Sequence, residues 1–378
     1  MGSAPTPQFI VQASAEPFSF GMAPFLGGIA RPSTLNMATM TEENAGVRSA
    51  SLNLGGGTRP RVLVARAVFP DIVEKLQSVA DVEYTQDDRI DPPEVLRARL
   101  RDKHGAFITN SERIDATLLD ACPDLRVIST MTVGVDHIDL DACAVRGVIV
   151  THAPDVLTET TADFGFALLL AAARQIGDAE RYLRAGNWHK WSYDLFAGSD
   201  VHGTTLGIVG MGRIGQAIAR RAAFGFGMKV LYHNRKPLPS TVEHECRATY
   251  RGLDDLLHES DHVLLALPYS PTARHLIGER EIAAMRQGAT LINVARGGVV
   301  DEGALVRALH RGHLGAVGLD VFEGEPQVNP ALLAAPRVVL TPHIASSSIP
   351  TRRAMVKLAV DNLIAVLQGR PPLTPFNA

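Results

Sequence analysis

Cysteine is scarce in this chain of 378 residues, with only Cys122, Cys143 and Cys246 present. So few and so scattered, they exclude a disulfide framework and a thiolate metal cage. The expectation is a cytoplasmic protein that holds no metal. Aromatic residues make up only 6% of the chain, and no apolar run reaches the roughly 18 to 20 residues that a membrane span needs. An excess of one charge is missing too. The 37 Lys and Arg against 40 Asp and Glu leave a net charge of -3, without the basic field that attracts nucleic acid or a membrane surface. Any phosphate group must therefore be held by a local site. No Lys or Arg precedes Arg31, so a secretory leader with its positively charged start is not expected.

Hydrophobic residues are plentiful at 46%, and the length exceeds what one core usually supports, so two domains are expected. Residues 1–58 are set apart by their Ala, Ser, Thr, Gly and Pro content and by the triplet Gly55-Gly56-Gly57. They read as a disordered extension. From residue 61 onward, short β-branched runs alternate with stretches of helical spacing. Strands are expected at 61–68, 82–84, 106–109, 126–130 and 148–151, with helices between them. One long helix is expected over 158–184. A second set of strands follows at 205–209, 229–233, 262–267, 290–294, 315–319 and 337–340, and a closing amphipathic helix at about 350–368. This rhythm implies an α/β protein with two Rossmann-like, doubly wound parallel sheets separated by a cleft. Periodicity alone leaves open which sheet the last helix joins.

The run Gly210-Met211-Gly212-Arg213-Ile214-Gly215 lies between an apolar strand and a helical stretch. In that setting the first glycine permits the tight turn, and the second lets backbone amides approach a pyrophosphate. The third allows the helix to pack against the strand. The N-terminus of the helix expected from Ile214 then faces the negative charge, and Arg213 and Ile214 are expected to contact the cofactor there. The blander alternative is a tight turn with no ligand. A site for NAD commonly carries an acidic residue at the end of the next strand. Here that position reads His233-Asn234-Arg235-Lys236. Nothing there repels a 2′-phosphate, and Arg235 and Lys236 can bind one, so NADPH is the expected cofactor. A solvated basic turn is the other reading.

Four motifs occur in order: the glycine run, Asn293-Val294-Ala295-Arg296-Gly297-Gly298, Asp320-Val321-Phe322-Glu323-Gly324-Glu325-Pro326 and Thr341-Pro342-His343. Together they resemble the D-isomer-specific 2-hydroxyacid dehydrogenases, over residue 59 to the C-terminus. The stretches 128–137 and 186–191 resemble the glyoxylate/hydroxypyruvate reductase branch, which includes 2-ketogluconate reductases. The resemblance implies NADPH-dependent reduction of a small 2-keto acid to a D-2-hydroxy acid. It also implies a substrate domain of residues 59–155 completed by 344–378, hinged to a dinucleotide domain of residues 156–343.

The same resemblance supplies the site. Arg296 would grip the substrate carboxylate and carbonyl, although a strand-end arginine could equally be a surface residue. His343 would donate the proton, a choice among 13 histidines that periodicity alone does not make. Glu325 would fix the imidazole tautomer and keep a proton available. Val133 and Gly134 would offer backbone amides to the carboxylate. Thr161, Pro268 and Asp320 would line the coenzyme. Trp188 and Trp191 resemble aromatics that reach a neighbouring subunit, which implies a homodimer, while core packing is the plainer reading. Two alternatives stay open: 2-ketogluconate reduction, and an NAD(H)-sensing corepressor-like binding protein.

Overall fold

Residues 59–376 are described by a computed structural model, and the extension expected at 1–58 lies outside them. The first half runs β1 (Arg61–Val64), α1 (Pro70–Gln77), β2 (Asp81–Glu83), α2 (Pro93–Leu100), β3 (Gly105–Ile108), α3 (Ala116–Asp120), β4 (Val127–Thr130), α4 (Leu140–Val145) and β5 (Ile149–Thr151). Helices α5 (Thr158–Ala173) and α6 (Ile176–Arg184) follow. The second half runs β6 (Thr205–Val209), α7 (Arg213–Arg220), β7 (Lys229–His233), α8 (Ser240–Cys246), β8 (Ala248–Tyr250), α9 (Leu253–Glu259) and β9 (His262–Leu265). It continues through α10 (Glu279–Ala284), β10 (Ala289–Asn293), α11 (Glu302–His310), β11 (Leu314–Leu319), α12 (Pro330–Leu333), β12 (Val338–Leu340) and α13 (Ile349–Leu367).

Both sheets are wholly parallel. The first has the strand order β2-β1-β3-β4-β5 and the second β12-β11-β10-β9-β6-β7-β8. In each, the order reverses beside the first strand, and a parallel sheet opens a crevice at the carboxyl ends of its strands where that happens. The reversal in the second sheet lies between β6 and β9, and the glycine run leaves β6 there. Buried Val, Ile and Leu cover both faces of each sheet, as parallel strands flanked by helices require. Several helices begin where a short side chain takes an otherwise unpaired amide. Asp115 accepts from Leu118 N, Asp139 from Ala142 N, Asp301 from Ala304 N and Ser348 from Thr351 N.

Helix α13 packs against α1, β3 and β4 of the first sheet and buries Met355, Val356, Ala359, Val360 and Leu363 there. Burying a side chain of Val or Leu size stabilises by about 1.5 to 3 kcal/mol, so this one helix is a large part of that core. The chain then returns to β5, where Thr374 Oγ1 donates to the His152 carbonyl at 2.6 Å.

Strands β1 and β9 stop at Val64 and Leu265, short of the expected 68 and 267, and two further local expectations differ from what is observed. The helix expected over 158–184 is broken at Gln175, whose φ is 51°. The Ala173 carbonyl, which would continue the ladder, instead accepts the Ser199 amide at 2.9 Å. Gly198 permits that approach, since a Cβ there would lie 2.1 Å from the Ala173 oxygen. Strand β8 was not anticipated: only the first of its three residues is buried, so no apolar run marks it.

Candidate active site

The glycine run shows three different reasons for glycine. Gly210 has φ +99°, and a Cβ there would come within 2.7 Å of the backbone of residues 266 and 267. Gly215 packs so closely that its Cβ would lie 2.3 Å from the Gly210 oxygen. A Cβ at Gly212 would meet nothing within 4 Å, so this glycine leaves open space at the start of α7. These residues fit a dinucleotide: the loop is tight where it meets protein and bare where a pyrophosphate would lie over a helix N-terminus.

Asn234 contributes to that loop directly. Its Oδ1 accepts the Met211 amide at 2.7 Å, tying the end of β7 to the glycine run. Arg235 and Lys236 are exposed just beyond, and neither has a carboxylate partner among the described residues. Arg213, in contrast, pairs with Asp155 at 2.6 Å. Thr161 is buried in the first turn of α5, and Pro268 is exposed three residues past the end of β9.

Arg296, Glu325 and His343 come from three separate connections of the second sheet and meet in one cleft of about 280 Å³. His343 Nδ1 is 2.7 Å from Glu325 Oε2, and Glu325 Oε1 accepts the Phe322 amide at 2.9 Å. Burial acts to raise the Glu325 pKa. The hydrogen bond and charge of His343, with the Phe322 amide and Arg296, outweigh it and hold the carboxyl below its usual value. With Nδ1 occupied, the remaining ring nitrogen of His343 is the one available to a substrate.

His343 has φ 55°, a conformation a non-glycine residue holds only when its surroundings impose it. Asp320 does so. It is 1% exposed, its carboxylate accepts the Ile344 and Ala345 amides at 2.8 Å and Thr341 Oγ1 at 2.7 Å, and its carbonyl accepts the His343 amide at 2.9 Å. Burial pushes the Asp320 carboxyl upward. The contacts observed for Asp320 therefore fix the His343 turn.

Opposite this wall is the loop after β4. The Val133 carbonyl accepts from His152 Nδ1 at 2.9 Å, and Thr132 Oγ1 donates to the Gly134 carbonyl at 2.7 Å. The amides of Val133 and Gly134 donate to no acceptor among the described residues. Arg296 reaches across to this loop and pairs with Asp136 at 3.1 Å. Burial raises the Asp136 pKa, but the charge and hydrogen bonds of Arg296 prevail and hold it below the ordinary carboxylate range.

Sequence reasoning missed Asp136, His137, Asn110 and Tyr269, all of which line the cleft. Asp136 and His137 fall inside the stretch 128–137 already singled out, but no spacing rule shows that a loop side chain faces a strand end 160 residues away.

Trp188 and Trp191 lie on the surface, 55% and 76% exposed, so the core-packing reading of them is overturned. Helix α6 beside them buries no residue and leaves Ile176 and Leu183 exposed. Among the described residues no helix is long and apolar enough to cross a membrane, and no cluster of His, Cys, Asp or Glu is suited to a metal.

Residues 166–345 match the family model described as D-isomer specific 2-hydroxyacid dehydrogenase, NAD binding domain. A glyoxylate reductase of Thermococcus kodakarensis is 44% identical over 323 residues, which cover 84% of this chain and 96% of that protein. A glyoxylate reductase of Aeropyrum pernix is 43% identical over 319 residues, covering 83% and 95%. Among solved structures, an NADPH-dependent glyoxylate/hydroxypyruvate reductase from Sinorhizobium meliloti, in complex with NADP and malonate, is 38% identical. It superposes with a TM-score of 0.75 over 84% of this chain and 97% of that one.

Proposed function

This chain belongs to the D-isomer-specific 2-hydroxyacid dehydrogenases, and on that premise we propose that it reduces glyoxylate or hydroxypyruvate to the 2-hydroxy acid with NADPH. The observation that carries the proposal is the cleft itself. It gathers the paired His343 and Glu325 with Arg296, whose side chain lies against Gly134 in the loop that carries the unpaired amides of Val133 and Gly134.

The coenzyme, when bound at the glycine run, supplies the hydride. The chain's residues do the rest. The amides of Val133 and Gly134 and the guanidinium of Arg296 hold the carboxylate, and Arg296 also polarises the keto oxygen. The free nitrogen of His343 donates a proton to that oxygen as negative charge develops on it. Glu325 holds the ring in the tautomer that allows this.

Three features support NADPH. Arg235 and Lys236 are exposed where a 2′-phosphate would lie, no acidic residue stands at the end of β7, and the related Sinorhizobium enzyme is NADPH-dependent. Polar Asn110 and Tyr269 on the cleft wall suit a hydroxylated chain, so hydroxypyruvate is favoured over glyoxylate, and a longer 2-ketoaldonate is the second reading. The proposal treats residues 59–155 with 344–378 as the substrate domain and 156–343 as the coenzyme domain. It also includes a homodimer, for which the exposed Trp188, Trp191, Ile176 and Leu183 provide an apolar face. A reducing, cytoplasmic setting agrees with three buried free cysteines.

The test is a panel of glyoxylate, hydroxypyruvate, pyruvate and 2-ketogluconate, each with NADPH and with NADH, followed by loss of nicotinamide absorbance. Absence of turnover with every pair would refute the enzymatic reading. A strong NADH preference would remove the cofactor assignment alone, and Arg235→Ala should weaken NADPH far more than NADH.

A further inference from the structure

A guanidinium carries five N–H groups in a fixed plane, and which of them are already occupied decides how it can meet a substrate. In Arg296, Nη1 donates to its neighbour's carbonyl, that of Ala295, at 2.9 Å. Along another edge, Nε donates to Asp136 at 3.2 Å to Oδ1 and 3.4 Å to Oδ2, and Nη2 donates to Oδ1 at 3.1 Å. Three donors are thus engaged. One N–H remains on each of Nη1 and Nη2, and these two lie side by side at the end of the fork.

The loop is shaped to admit this arrangement. A Cβ on Gly134 would lie 2.0 Å from Arg296 Nη2 and 2.9 Å from Asp136 Oδ1, so any side chain there would displace the guanidinium. The pair also joins the loop after β4 of the first sheet to the end of β10 in the second. It thereby sets the orientation of the arginine relative to the amides of Val133 and Gly134.

We infer that Asp136 is a positioning residue: it occupies the side edge of the Arg296 guanidinium and so presents the end edge to the 2-keto acid. The inference rests on the reading that Arg296 binds substrate. Without Asp136 the long side chain loses its only carboxylate partner among the described residues, and the free fork must be ordered by the substrate itself. The effect falls on substrate affinity and on turnover, and not on the dinucleotide, because the side-chain hydrogen bonds of Asp136 among the described residues are all to Arg296 and none to the glycine run. Asn at 136 can accept one bond but places an amide N–H against an arginine N–H. Glu retains the carboxylate.

The experiment compares the full chain with D136N, D136E, R296A and D136N/R296A. It measures steady-state reduction of hydroxypyruvate, coenzyme binding by fluorescence, and binding of oxalate by calorimetry as a readout independent of turnover. D136N should raise KM for hydroxypyruvate roughly 10- to 100-fold, lower kcat and weaken oxalate, the range expected for losing charge-assisted hydrogen bonds. Coenzyme affinity should stay unchanged, D136E should recover part of the loss, and D136N should cost nothing further once Arg296 is absent.

A D136N enzyme with wild-type kinetics and oxalate binding overturns the inference while leaving Arg296 in its place. So does a lowered KM, which would mean that Asp136 competes with substrate, and so does an equal loss on the R296A background. If R296A itself binds oxalate and turns over normally, the underlying reading of the site fails and this one with it.

Discussion

Glu325 bridges two parts of its own wall: one carboxylate oxygen takes the Phe322 amide at 2.9 Å and the other faces His343 Nδ1 at 2.7 Å. Both contacts require an acceptor, and only an ionised carboxylate accepts at both oxygens without cost. The residue therefore fixes both its own orientation and that of the imidazole.

Replacing Glu325 by Gln leaves one of those two bonds unsatisfied and removes the charge. Glu325 has a depressed pKa, so its ionised form persists as the pH falls below the ordinary carboxylate range and is lost only on passing through the lower value. The E325Q enzyme should lose roughly 10²-fold in kcat, and its pH range for reduction should move to lower pH. A pH profile of kcat that coincides with that of the wild type would show that the carboxylate plays no part in proton delivery.

Gly134→Ala introduces a Cβ only 2.0 Å from Arg296 Nη2. The arginine has to move, while the buried core is untouched. KM for the keto acid should rise at least about tenfold with little change in Tm, since an effect on orientation alone can be that large. Parallel losses in Tm and coenzyme affinity would instead mark a folding defect.

Gly210 and Gly212 should respond oppositely to alanine. At Gly210 the φ of +99° and the 2.7 Å approach to residues 266 and 267 oppose any side chain. A strain of about 1 to 3 kcal/mol is expected, which lowers Tm by several degrees in a chain of this size. G212A meets nothing within 4 Å and should melt like the wild type, yet bind NADPH more weakly because the methyl group occupies the open space. Calorimetric melting and a coenzyme titration of both variants decide the matter; a G212A protein with full coenzyme affinity would contradict the placement of the pyrophosphate.

His137 provides a pH signature of stability. Burial, with the charge of Arg296, outweighs Asp136 and lowers its pKa from 6.5 to about 4. The unfolded chain then takes up a proton as the pH falls through 6.5, and the folded protein does so only near 4. Stability attributable to this residue is present above the higher value and declines between the two, by on the order of 2 kcal/mol at pH 5. Denaturant unfolding at pH 7 and pH 5 should show a smaller difference in H137Q than in the wild type. Equal differences would mean that His137 titrates normally in the folded state.

Much of the architecture was legible in the amino-acid order. The strands from 205–209 through 337–340 are apolar and β-branched, and a buried parallel strand has no other pattern to show. The glycine run was legible for a related reason, because strand, tight turn and helix follow one another within a few residues. The break at Gln175 was not. It depends on the Ser199 amide arriving at the Ala173 carbonyl, and no window of helical spacing contains both residues. Asn234 was expected at the dinucleotide site by position, but its hydrogen bond to Met211 became evident only once β6 and β7 were paired.

The sequence by itself determined the two parallel sheets, the dinucleotide loop and the absence of an acidic residue after β7, since these follow from local spacing and local chemistry. Periodicity left open which sheet α13 joins, and tertiary structure alone decided that Asp320 holds the His343 turn and that Asp136 reaches Arg296. Each of those is a contact between residues far apart in the chain, and a hydrogen bond a few ångströms long is specified by how the sheets pack and not by the order of residues between its ends.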